Sequence, residues 1–137
     1  MPSLQLVDTT APAARPEITD AEGAAMARAV VNLFERWRLT DRQATTLLGG
    51  LSPRSWARWK DGQIGRLDRD RKARLSNLMG IHKALRLIFP EPARAYGWPR
   101  RPNAAFGGRT GLDVMLDGEL TDLMRVRRYL DAERGLW

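Results

Sequence analysis

TDRQATTLLGGLSPRSWARWKDG, residues 40–62, is the stretch on which the fold turns. Thr40 followed by Gln43 has the spacing of a capping box, in which the hydroxyl accepts from the backbone at Gln43 while the Gln side chain reaches back. A short helix through Leu47 and Leu48 is therefore predicted, stopped at Gly49-Gly50. Ser52 then offers a hydroxyl to the first free amides of the next helix, and Pro53 fits the first helical position, where no donor is needed. That helix is predicted over Pro53 to Lys60 and ends at Asp61-Gly62.

Working outward, Thr19-x-x-Glu22 is another capping box, and Met26, Val30, Leu33, Phe34 and Trp37 recur at spacings of three and four, one buried stripe of a longer helix. Downstream, a long helix is expected from about Asp68 to Phe89, stopped by Pro90 and Pro92, with Leu75, Leu78, Met79, Leu85 and Ile88 as its apolar side and Gly80 weakening its middle. Pro90 to Gly108 reads as a mostly irregular connector with one helical turn near Ala93 to Tyr96, and as the module boundary. Thr110 to Leu116 and Glu119 to Glu133 follow as a short and a longer helix, and no alternating strand pattern of useful length occurs. The expected fold is all-α, without internal repeats. Residues 1–17 are read as a flexible leader, 18–89 as a helical core and 90–137 as a small helical C-terminal module.

Two short helices joined at a glycine turn and preceded by a longer amphipathic one have the layout of a helix-turn-helix, whose second short helix enters the major groove. On that helix Arg54 and Arg58 share a face with Ser55 nearby. The expected DNA contacts are Arg54, Ser55 and Arg58 at base edges and Lys60 and Gln63 at the backbone; the alternative is a solvated basic face. Trp56 and Trp59 lie on the other face and are assigned to the core.

The bulk properties are compatible with this. The chain has 137 residues and a formal charge of +7, with no cysteine. Charge is unevenly placed: net +2 over 18–65, +5 over 66–98 and +1 over 99–137. A positive middle suits a polyanion, since each neutralised phosphate releases counterions. No apolar run approaches a membrane span and no secretory signal is evident at the N-terminus, so a cytoplasmic protein is expected.

Chemistry of the catalytic kind is poorly provided for. His82, the sole histidine, has no partner at metal-ligand spacing. Asp68 and Asp70, like Asp113 and Asp117, lie near arginines and are better explained as helix-end charges and ion pairs than as acid–base pairs. Phe106-Gly107-Gly108-Arg109 lacks the Lys-Ser/Thr of a phosphate-binding loop and follows no strand. No enzyme, no metal site and no cofactor is expected.

The C-terminal strings are more specific. Trp98-Pro99, Pro102-Asn103, Phe106-Gly107-Gly108-Arg109, Gly111-Leu112-Asp113-Val114-Met115-Leu116-Asp117-Gly118, Val126-Arg127-Arg128-Tyr129-Leu130-Asp131 and the closing Arg134-Gly135-Leu136-Trp137 resemble the toxin-binding domain of the Xre/MbcA/ParS antitoxin family. Leu47-Leu48-Gly49 and Arg58-Trp59-x-x-Gly62 resemble the same family's helix-turn-helix. Leu136 departs from the pair of glycines that precedes the final Trp in many relatives. The resemblance implies an Xre-like helix-turn-helix core carrying a toxin-binding module, paired with a RES-domain toxin that consumes NAD or transfers its ADP-ribose part. It further implies that the module covers the toxin's active-site entrance, that the core represses the shared operon in a bacterial cytoplasm, and that the chain forms homodimers and larger complexes with the toxin. Toxin contacts are then expected from Asn103, Phe106, Arg109, Arg128 and Trp137. Within the module itself Phe106 is equally suited to plug the helices above it, Arg109 to bridge internally, Arg128 to lie on a solvated face, and Trp137 to pack on the last helix. A stand-alone regulator whose C-terminal module only dimerises is the alternative.

Overall fold

A computed structural model of the chain describes residues 17–135, so residues 1–16 of the leader, Leu136 and Trp137 lie outside the described residues. Seven α-helices occur among them: α1 Asp20–Arg36, α2 Asp41–Leu47, α3 Pro53–Lys60, α4 Arg69–Ile88, α5 Pro92–Gly97, α6 Gly111–Met115 and α7 Leu120–Glu133. Strands are absent from the described residues; the one ladder-like contact is an isolated bridge between Pro102 and Thr110. The all-α expectation holds.

Both capping boxes form. Thr19 Oγ1 accepts from Glu22 N at 3.1 Å while Glu22 Oε1 accepts from Thr19 N at 2.8 Å, and Thr40 and Gln43 repeat the pattern at 3.1 and 2.9 Å. Each box satisfies amides that the first helical turn leaves unpaired. A third box, Thr110 with Asp113, starts α6.

The long helix α4 is the axis of the molecule, with α1 packed on it and α7 lying along it as its most extensive contact. Its buried residues are Arg74, Leu75, Leu78, Ile81, Ala84 and Leu85, so the inner stripe takes in Ile81 and Ala84, while Met79 and Ile88 sit at its half-buried edges. Gly80 has a packing reason that the sequence pattern could not reveal. A Cβ there would collide with the Arg127 guanidinium of α7, so the missing side chain is what lets that group cross α4.

The segment expected to be a mostly irregular connector is ordered and packed. It contains α5, then 3₁₀ turns at Trp98–Arg100 and Ala104–Phe106, and it buries Ala95, Trp98, Pro99 and Phe106. Two of its prolines, Pro92 and Pro99, occupy first turns of helices, where a missing donor costs nothing. Arg100 also ties this segment to the end of α1. Its Nη2 donates to Trp37 O at 3.1 Å and to Arg38 O at 2.7 Å, at the one non-glycine residue with a positive φ among those described, Arg38 at 58°.

Candidate functional site

The basic face of α3 is built from the core outward. Trp56 and Trp59 point inward, 5% and 3% exposed, and Trp56 packs against Phe34 of α1 with ring centroids 6.0 Å apart. Trp56 keeps its polar edge satisfied: the indole N–H donates to Asp41 Oδ1 at 2.9 Å, and Lys60 Nζ reaches the same oxygen at 3.1 Å. One carboxylate at the start of α2 thus fixes the register of α3. The indole hydrogen bond, and then Lys60, hold the Asp41 carboxyl below its ordinary pKa.

The turn between the two helices is fixed from below. Gly49 and Gly50 take φ of 81° and 82°, and Gly50 N donates to Thr45 O at 2.8 Å, closing the end of α2. Arg74, buried and paired with Asp70 Oδ2 at 2.8 Å, donates to Leu47 O, and Arg71 Nε donates to Leu48 O at 3.1 Å. Two cations from α4 therefore neutralise the carbonyl end of α2. A Cβ on Gly49 would lie 2.8 Å from Arg74 Nε, so glycine is required there for space as well as backbone angle. Sequence reading identified Asp70 as an ion-pair partner and missed this support; the Asp70–Arg74 spacing was its one visible trace.

These contacts leave Arg54 and Arg58 exposed, and neither takes part in an ion pair among the described residues. Ser55 is half-buried, its hydroxyl accepting from Ser52 Oγ at 3.0 Å. Ser55, Arg58 and Gln63 line one shallow depression of about 150 Å³ together with Trp59, Ile64 and Gly65, and Gln63 N donates to Arg58 O at 2.9 Å. Arg54 stands outside that depression, and Lys60 is held by Asp41 and lies 5.9 Å over the Trp56 ring. Of the five residues assigned to DNA, Ser55, Arg58 and Gln63 are thus brought together, Arg54 is free beside them, and Lys60 is already engaged.

The second candidate surface is the loop from Pro102 to Thr110. Asn103 organises it: its backbone N–H donates to Arg109 O at 3.0 Å, its carbonyl accepts from Gly108 at 2.9 Å, and its Oδ1 accepts from Ala105 N at 2.8 Å. Gly107 and Gly108, with φ of 67° and 87°, let the chain reverse above Phe106. Phe106 itself faces inward, 4% exposed, edge-on to Tyr129 at 5.2 Å and to Trp98 at 6.3 Å, with the Arg125 guanidinium 5.2 Å above its ring. Its ring is therefore a plug in this conformation and offers no free face to a partner.

Arg109 forms a two-pronged pair with Asp117, at 3.0 and 2.9 Å, and donates to Asp113 O at 2.9 Å. These bonds raise the guanidinium's pKa and lower that of Asp117. Below the loop, Gly111 packs so closely on Trp98 that a Cβ would lie 2.5 Å from Cζ3. What the loop presents outward is Ala104, Ala105, Gly107, Gly108 and the outer edge of Arg109. Arg128 is exposed on a different flank, bordering a depression with Ser76, Asn77, Arg127 and Asp131 that includes no residue of the loop.

The remaining chemistry-bearing residues have structural roles. Asp68 caps α4, Asp113 completes the α6 capping box, and His82 stacks on Tyr96 at 5.8 Å, its pKa lowered by burial and then by Arg86. No group of three or more potential metal ligands occurs among the described residues, and no helix there is long and apolar enough to cross a membrane.

Residues 16–80 match the Antitoxin Xre-like helix-turn-helix domain, and residues 84–135 match the Antitoxin Xre/MbcA/ParS C-terminal toxin-binding domain. The chain is also 41% identical over 120 residues to the uncharacterized protein y4oB of Sinorhizobium fredii (strain NBRC 101917 / NGR234), an alignment that spans 88% of this chain and 92% of that protein. The first match ends and the second begins inside α4. The two matched regions in tandem, over the helix-turn-helix and the glycine-loop module just described, place this chain in the Xre/MbcA/ParS antitoxin family.

Proposed function

We propose that this antitoxin neutralises a RES-domain toxin acting on NAD, by hydrolysis or by ADP-ribose transfer, and represses its own operon by binding operator DNA. Residues 90–137 act as the toxin-binding module that covers the toxin's active-site entrance. Residues 18–89 act as the DNA-binding and dimerisation region, and the homodimer joins the toxin in a larger complex in the bacterial cytoplasm. The observation that carries the proposal is the tandem of a helix-turn-helix match and a toxin-binding match on one chain.

The geometry supports each half. Arg54 and Arg58 stand free on α3 beside Ser55 and Gln63, in the arrangement base edges and phosphates require. The loop tip exposes only the small side chains of Ala104 and Ala105 and is held by hydrogen bonds to Asn103, which suits entry into a concave site without first paying an ordering cost.

Co-expression with the adjoining reading frame tests this. The unaltered chain is expected to restore growth and cellular NAD, whereas Ala105→Arg, a change on an exposed side chain, abolishes protection while the protein keeps its melting temperature. Equal protection by that variant would remove the loop tip from the toxin interface. Operator binding without any protection by the unaltered chain would instead favour a stand-alone regulator.

A further inference from the structure

A second cationic surface lies away from α3, around the rings of Phe89 and Tyr96. Arg94 and Arg101 both lie over the Phe89 ring, their guanidinium carbons 5.3 and 5.6 Å from its centroid. Arg36 of α1 lies over Tyr96 at 5.4 Å, and Arg86 lines the depression between the two rings, about 260 Å³ in volume, together with Pro90, Pro92 and Ala95. All four arginines are exposed, and none forms an ion pair among the described residues, although Glu91 opens α5 in their midst.

Four like charges around two rings repel one another, a cost that an arriving anion removes. Stacking on an aromatic face restricts a guanidinium in advance while leaving its edge donors free, which suits two-pronged recognition of a planar oxyanion. Arg101 is restricted further, since its Nη2 donates to Arg94 O at 2.8 Å. We propose that this Arg–aromatic surface docks an acidic patch of the toxin, its guanidiniums receiving carboxylates while a small apolar side chain fills the depression.

The proposal rests on the antitoxin reading above and adds a second contact to the loop tip. A protein partner is favoured over nucleic acid by one observation: Phe89, Arg94, Tyr96 and Arg101 all fall within the matched toxin-binding region.

The test uses the full chain and the RES-domain protein of the adjoining reading frame. Arg94→Gln combined with Arg101→Gln is expected to slow association at low salt about tenfold and to flatten its salt dependence, with operator affinity unchanged. The double Arg→Lys variant, which keeps the charge but loses the forked guanidinium donors, should retain the salt dependence and recover only part of the rate. If the double Gln variant fails to melt cooperatively, Arg86→Gln carries the same expectation at about threefold. Unchanged association overturns the proposal, and unchanged association with a loss of duplex binding assigns the surface to nucleic acid instead. Failure of the unaltered chain to bind the toxin overturns the antitoxin reading itself, a result distinct from a variant that binds normally.

Discussion

The α3 face and the 102–110 loop make opposite uses of their conspicuous residues. On α3 the helix period separates the work: Trp56 and Trp59 hold the core, and Arg54 and Arg58 are left without internal partners. In the loop the same residues do both jobs or only the internal one. Phe106 is buried, Asn103 spends its backbone and side chain on the turn, and Arg109 is clamped to Asp117. A helix can divide its circumference between packing and recognition, whereas a nine-residue reversal has too little backbone to spare and must close itself with the residues it carries. Substitutions of Arg54 and Arg58 should therefore affect binding without stability, and substitutions of the inward-turned loop residues Asn103, Phe106 and Arg109 stability together with binding.

The largest expected effect tests the loop. Phe106→Ala removes a ring packed against Trp98, Tyr129 and Arg125, and should cost about 3–5 kcal/mol of unfolding free energy in a urea titration. Toxin binding should fall with it. A variant of full stability that has lost only the toxin would break the comparison, because Phe106 would then act as a contact and not as a plug.

On α3 the expectation is reversed. Arg58→Ala should weaken operator binding by ~1–3 kcal/mol if its guanidinium pairs with one base, while unfolding stability stays within about 0.5 kcal/mol of the unaltered chain. Arg54→Ala should follow the same pattern. Lys60→Ala is the internal control: it breaks the Asp41 contact, so it should lower stability as well as phosphate affinity. Unchanged duplex affinity at fixed salt for both arginine variants would remove this face from the DNA interface.

How legible each region was follows from the same difference. The helices could be read from Thr40, Ser52, Pro53 and the leucine periodicity because caps and stripes are local, and α3 falls on the predicted residues. Long-range partners leave no such local trace. That Arg71 and Arg74 would reach the carbonyls of α2, that Gly80 would make way for Arg127, and that Arg100 would clasp Trp37 and Arg38 all depend on how α4 and its neighbours cross. Phe106 and Arg109 stood out in sequence, but their direction did not, since glycines with positive φ free the chain from any period. The cationic surface at Phe89 and Tyr96 was hidden for a related reason: it gathers residues from α1, α4, α5 and the turn after it.

Acid titration gives the smallest effect and the sharpest contrast. Asp41 ties α3 to α2 and Asp117 ties the loop to α6, and both carboxyls have folded pKa values lowered from the ordinary one. A lowered folded pKa contributes stability that is fully present above the unfolded value, near ~3.9, and is lost as pH falls through the folded value. Both residues should therefore steepen the acid limb of the stability curve below about pH 4, and Asp41→Asn or Asp117→Asn should each flatten it. The causes differ. The largest for Asp41 is a neutral indole donor, Trp56, whereas for Asp117 it is the charged guanidinium of Arg109. Raising salt from ~0.1 to ~1 M shortens the screening length from about 10 to about 3 Å, which weakens an exposed charge pair and leaves a neutral hydrogen bond largely intact. Carboxyl NMR titrations at the two salt concentrations should show the Asp117 pKa rising further than that of Asp41. The reverse order would mean that Lys60, and not the indole, governs Asp41, so that α3 is fastened by surface charge in the same way as the loop.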